Sequence, residues 1–246
     1  MTTNESLAWH EVEKVSTYQQ VLVQVENQII EGRLKTGEHL PSERELAKLL
    51  GVSRPSVREA LRILEAFGII ESHRGGGPSS GSTIATQPTE ALTNLLRLHL
   101  ALSGIDIDDL LDVRICLERW AVRSAAQHVN KHQALEIRRK LEAMRAPSLS
   151  EREFLAQDAE FHVAIARASG NMLISYLMEA LRNAVSDLLT AAYEGQPNWS
   201  ETSNQALEDH ARILEAIERH DQTAAAELVE EHIEVTRHWH HQRRLD

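Results

Sequence analysis

Four side chains in the carboxy-terminal half of the chain, Asp158, His162, His210 and His232, have the types and spacing to share one divalent cation. Asp158 and His162 stand four residues apart in DAEFHVAIARASGN. The apolar pattern there is helical, so both project from one helix face, one turn apart. His210 lies eleven residues before Asp221 and His232 eleven after it. If a tight turn at His220-Asp221 joins two antiparallel helices, both imidazoles stand at the same height, about 16 Å from the turn at a rise of 1.5 Å per residue. A hard carboxylate with three imidazoles suits Zn2+, with Ni2+, Mn2+ or Fe2+ as alternatives, and leaves coordination positions for water or a small anion. The competing reading is plain chance: the chain has 13 histidines, and a helical histidine beside an acid is often a surface or core group. His238, His240 and His241 in the tail TRHWHHQRRL are metal-rich in the same superficial way and are assigned to solvent. Glu160 lies two residues from both Asp158 and His162, on another helix face, so the spacing supplies no general base for hydrolysis.

A second constellation lies near the amino terminus. Arg54, Arg58 and Arg62 recur every four residues and form one ridge beside the apolar stripe Val57, Ala60, Leu61 and Leu64. A guanidinium on such a helix can fork onto a guanine edge or clamp a phosphate, and Ser56 near the helix start can bond to either. A solvated helix face with arginines for solubility is the bland alternative. The stretch GGPSSGST has the glycine spacing of a phosphate loop, but Ser82 stands where the lysine should be.

The elements that must position these groups can be read from caps and periodicity. Residues 16–34 read as a helix loosened by Gly32 and Gly37. Ser42 and Glu45 form a capping box opening a second helix that ends at Gly51. Ser53 caps a third, terminated by Gly68, and the two short helices make a helix-turn-helix. The β-prone runs IIESH and STIAT flank RGGGPSSG as a hairpin, or wing. From residue 88 onward the pattern predicts helices over 89–103, 106–128, 131–145, 150–168, 171–194, 203–219 and 221–242. The expected fold is mainly α: an amino-terminal winged helix-turn-helix over 1–87 and a carboxy-terminal all-α helical bundle over 88–246.

Charge and composition narrow the partners. The net charge is −11, which argues against general nucleic-acid stickiness or an anionic membrane surface. Residues 1–87 carry nine basic and eleven acidic side chains, so a local arginine face there can still meet phosphates. Cys116 is the only cysteine, which leaves no intrachain disulfide or cysteine-rich zinc cluster. MTTNESLAWHEVEKV lacks the basic and apolar regions of a secretory signal, and no run of 18 apolar residues occurs, so a soluble, cytoplasmic protein is expected.

The run LPSERELAKLLGVSRPSVREALRILEAFGIIESHRGGG resembles the DNA-binding domain of the GntR family of bacterial transcription regulators. The resemblance implies that Arg44, Arg54, Arg58, His73, Arg74 and Gly75 match positions that touch operator DNA. Pro55 departs from the hydroxyl residue common after that arginine. Further on, Asp158-x-x-Phe161-His162, Ala-Ser-Gly-Asn171, His210, His232 and Arg114-x-x-x-Glu118 are similar to the helical ligand-sensing (FCD) domain of the FadR-type branch. That similarity implies a metal on Asp158, His162, His210 and His232, with Arg114 and Asn171 in the effector cavity. Arg114 could instead pair with Glu118 at i+4, and Asn171 could simply cap a helix. The stretches GPSSGSTI, APSLSEREFLAQDAEFHVAIA and LISYLMEALR further resemble lactate-responsive regulators of this branch.

The expectation is therefore a homodimeric regulator, a repressor, that leaves a pseudo-palindromic, double-stranded operator when a small carboxylate binds at the metal. L-Lactate or a related 2-hydroxy or 2-keto acid is the favoured effector. The rivals are a metal-dependent enzyme with an appended DNA-binding domain, and a regulator that senses the metal itself or an acyl thioester.

Overall fold

A computed structural model of the chain describes residues 16–73, 81–86, 89–193 and 199–243. The chain divides into two compact units, Met1–Ala91 and Leu92–Asp246.

In the first unit, α1 (Thr17–Ile30), α2 (Glu43–Leu50) and α3 (Arg54–Ala66) precede an antiparallel hairpin of β1 (Ile70–His73) and β2 (Gly81–Ile84). The helix expected over 16–34 ends at Ile30, because Glu31 leaves helical geometry and Gly32 takes a positive φ of 71°. Ser42 and Glu45 close the capping box that starts α2, each bonding the other's backbone. Gly51 stops α2 at φ 67°, a left-handed conformation in which a Cβ would crowd the following carbonyl. Ser53 then accepts the Ser56 amide to start α3, and Pro55 occupies its first turn, where a missing N–H costs nothing. Val25, Leu40, Leu46, Val57, Leu61, Leu64, Ile70 and Ile84 form the core beneath this turn. The backbone at 37–40 bonds to β2, Leu40 N to Ser82 O and Ile84 N to Glu38 O, and so completes a small wing sheet. The tip of the wing, with Arg74 and Gly75, lies outside the described residues.

The second unit is all helical where described: α4 (Thr89–Ser103), α5 (Ile107–His128), α6 (Lys131–Met144), α7 (Glu151–Ala168), α8 (Met172–Tyr193), α9 (Trp199–Glu218) and α10 (Gln222–Arg243). α9 begins four residues before the expected 203, and Trp199 packs edge-on against Phe154 with ring centroids 5.4 Å apart. α7 is the central helix. Phe161 through Ala166 are all buried, so the helix is covered on every side along that stretch, and its one polar seam must face other protein groups. α5, α8, α9 and α10 supply those groups. No helix among the described residues is long and apolar enough to cross a membrane.

Candidate metal centre and DNA-reading face

The turn between α9 and α10 sets the height of two imidazoles. His220 adopts a positive φ of 59° there, and its Nδ1 bonds the Ala126 carbonyl at 2.8 Å, while Asp221 caps the Ala224 amide. The two helices run back antiparallel from that point, and the Nε2 atoms of His210 and His232 come within 3.2 Å of each other. Asp158 Oδ1 lies 3.2 Å from His210 Nε2 and 3.8 Å from His162 Nε2. One ligand atom from each of Asp158, His162, His210 and His232 falls within 4.8 Å of every other. Helix α7 and the distant α9–α10 hairpin therefore converge four donors on one point.

The donor set fits a divalent cation. His162 Nε2 is buried and has no hydrogen-bond partner among the described residues, which is costly for a ring nitrogen unless something else occupies its lone pair. Its other nitrogen, Nδ1, lies 2.6 Å from Glu118 Oε2, and His232 Nδ1 lies 3.6 Å from Asp209 Oδ2. A carboxylate behind each of two rings is the placement that supports imidazole ligands. Phe161 packs against the His210 ring at a centroid distance of 4.4 Å and helps fix its plane.

Charge at the centre is nearly balanced. Burial opposes ionisation of Asp158, but Arg182 and the bond with His210 outweigh it and hold the carboxyl well below its ordinary value. Burial likewise opposes the charge on Glu118, which His162, Arg114 and Arg182 again overcome. Arg114 Nε bonds Glu118 Oε1 at 2.9 Å, and both side chains are 3% exposed. Arg182 ion-pairs with Asp158 and lies 3.8 Å from Glu118. Burial is the main force that lowers His162 and pushes His210 down to about 3, so both rings are neutral, ligand-ready bases near pH 7.

These shifts predict acid lability of the metal-free protein. Histidines kept neutral by the fold charge readily in the unfolded chain below about pH 6.5, and the depressed carboxyls add the same sign at lower pH. Thermal melting should be flat above about pH 6.5 and fall progressively as pH drops toward 3. A melting temperature unchanged between pH 7 and 4.5 would contradict the neutral, buried histidines.

Arg182 was not legible as a site residue, although it is 2% exposed and central. The available signal is positional: Ser175, Met178, Arg182 and Val185 are all buried at helical spacing, so Arg182 interrupts the core face of α8. Arg114 pairs with Glu118 and also lines a small cavity with Asp158, His232 and Thr202. Asn171 caps α8 through Oδ1, which accepts from the Leu173 and Ile174 amides, and does not line that cavity.

On the first unit, Arg44, Arg54, Arg58 and Arg62 are exposed. Arg58 grips Glu43 of α2 through Nε at 3.1 Å and Nη2 at 2.9 Å, and Arg54 reaches within 3.9 Å of the same carboxylate. Both arginines thus lean toward the helix-turn-helix seam. Ser56 Oγ lies 2.8 Å from Ser53 Oγ, and His73 Nε2 lies 3.1 Å from Thr83 Oγ1 at the base of the wing.

Residues 17–78 match the bacterial regulatory proteins of the gntR family, and residues 109–235 match the FCD domain. The chain is 31% identical over 218 residues to the "Glc operon transcriptional activator" of Escherichia coli (strain K12), covering 87% of this chain and 84% of that protein. It is also 31% identical over 224 residues to the "HTH-type transcriptional repressor NanR" of Enterobacter sp. (strain 638), covering 88% and 83% respectively. Streptococcus agalactiae GntR shares the fold, with a TM-score of 0.63 at 24% identity over 89% of this chain and 99% of that one. A gntR-type reader at one end and an FCD domain at the other leave no place for the enzyme reading. The chain belongs to the gntR family of transcription regulators, in the group that carries an FCD domain.

Proposed function

We propose that the protein is a homodimeric, cytoplasmic repressor that leaves a pseudo-palindromic operator when a small 2-hydroxy or 2-keto acid, L-lactate foremost, binds beside a metal in the FCD domain. The observation that carries this reading is the convergence of Asp158, His162, His210 and His232 next to a cavity lined by Arg114. These four residues would hold the ion, Zn2+ by preference, with Ni2+, Mn2+ or Fe2+ as alternatives for the same donors. When bound, such an ion supplies a Lewis-acid site for a carboxylate oxygen.

Charge and size define the effector. Asp158 and Glu118 are matched by Arg114 and Arg182, so a divalent cation leaves the buried centre with excess positive charge, which an organic anion neutralises. Arg114 offers a guanidinium fork suited to a carboxylate. The cavity measures about 40 Å3, room for about three waters on the same scale, which favours a short acid over an acyl thioester.

Two copies reading two half-sites is the usual geometry for a helix-turn-helix. Apolar side chains left uncovered on α4 and α5, Leu98, Leu102, Val113 and Trp120 among them, support self-association of the second unit. In this dimer Arg54, Arg58 and Ser56 address base edges, while Arg44 and the wing residues His73, Arg74 and Gly75 hold the DNA backbone. The effector must favour one of two arrangements of the readers, because equal affinity for both shifts nothing. Relatives are named both as activator and as repressor, so the direction of the response is part of the test.

Fluorescence anisotropy of metal-loaded protein on DNA from upstream of its own gene, titrated with L-lactate, pyruvate, glycolate and citrate, tests the reading. Release by one of the 2-hydroxy or 2-keto acids is the expected result. Tight binding that none of them changes would remove the carboxylate effector and leave the metal as the signal.

A further inference from the structure

Thr202, in the first turn of α9, has an unusual position for a hydroxyl. It is buried, and its Oγ1 has no hydrogen-bond partner among the described residues. A hydroxyl stripped of water and left unpaired is destabilising, so Oγ1 is poised for a partner beyond the described residues. Thr202 lines the same cavity as Arg114, Asp158 and His232, so its side chain borders the space beside the proposed metal centre. Two neighbouring polar atoms of that wall have partners of their own. Ser203 Oγ donates to the Ser200 carbonyl, and Arg114 Nε is held by Glu118. Phe154, Leu155, Trp199 and Ala206 make part of the lining apolar, and a hydrogen bond made beside them is strengthened by the lower local dielectric.

We propose that Thr202 is the specificity-determining residue of the effector cavity, reading the 2-oxygen of a short acid whose carboxylate is held at Arg114. This rests on the carboxylate-effector reading above. A hydroxyl can donate to a keto oxygen or exchange a hydrogen bond with an alcohol, so Thr202 accepts both 2-hydroxy and 2-keto acids. An acid without an oxygen at C2 leaves Oγ1 unpaired, and sites built this way reject the analogue that lacks the polar group far more strongly than they reject a change of one methylene.

The test compares wild-type protein with Thr202→Val, which keeps the volume and removes the hydroxyl. Release of the metal-loaded protein from operator DNA is followed with L-lactate, pyruvate and propionate, alongside metal affinity by calorimetry. The expected result is that the preference for L-lactate over propionate falls by about tenfold or more in Thr202→Val, with metal affinity and effector-free DNA binding unchanged. Thr202→Ser, which restores the hydroxyl, should restore the preference, and Thr202→Ala should lose it even if the valine variant fails to fold. A wild-type preference retained in both hydroxyl-free variants overturns the proposal. Failure of wild-type protein to respond to any of the three acids is a different result, and it removes the effector reading itself together with this inference.

Discussion

Replacing His210 by alanine is expected to lower divalent-metal affinity by about a hundredfold or more and to abolish the effector response, while leaving effector-free operator binding close to wild type. His210 is fully buried, with Nε2 3.2 Å from both Asp158 Oδ1 and His232 Nε2, so its removal takes away one donor and the hydrogen bond that fixes another. The imidazole also packs against Phe161, and its loss opens a void in the centre of the second unit. A melting curve must therefore accompany the binding data. His210→Phe fills more of that space without a ligand atom and separates the two causes. Calorimetric titration with Zn2+ reads the affinity, and anisotropy on operator DNA reads the response. An intact effector response in a folded His210→Ala protein would rule out the four-residue centre as the sensing site.

The second large effect belongs to Arg58. Arg58→Ala should weaken specific operator binding by roughly 5- to 150-fold per half-site, the range for loss of a forked contact to a base. Arg58 is bound to Glu43 in the free protein, yet that pair is exposed to solvent and is readily exchanged for DNA. The grip ties α3 to the first turn of α2 and fixes the direction of the guanidinium in the free protein. A contact to a base and a contact to a phosphate give different signatures. Loss of a base contact relaxes sequence preference at one position, whereas loss of a phosphate contact weakens all sequences alike and makes the salt dependence shallower by about one ion. Unchanged affinity, specificity and salt slope would take Arg58 out of the interface. His210→Ala and Arg58→Ala thus divide the molecule, one expected to silence sensing and the other reading.

The legible parts of this protein are those set by short-range rules. Capping residues, a left-handed glycine and two apolar stripes are local, and they placed Ser42, Gly51, Ser53 and the arginine ridge of α3 with nothing else known. Asp158 and His162 are joined by one helical turn. His210 and His232 are joined by the symmetry of a tight turn, so two pairs of candidate ligands followed from helix geometry alone.

The assembly of those pairs into one centre was settled by packing. The hairpin of α9 and α10 could have presented its histidines to solvent, and only packing against α7 brings Asp158 and His162 opposite them. Arg182 comes from a fourth helix, α8, and Glu118 reaches His162 from a fifth, α5, at separations where periodicity carries no information. Desolvation by that packing is also what holds His162 and His210 neutral and makes the charges of Arg114 and Arg182 count. The sequence by itself determined which helices form and which donors share a face, because those depend on neighbours three and four residues away. The tertiary structure decided which faces meet, what is excluded from water, and which unpaired atoms remain for a ligand to satisfy.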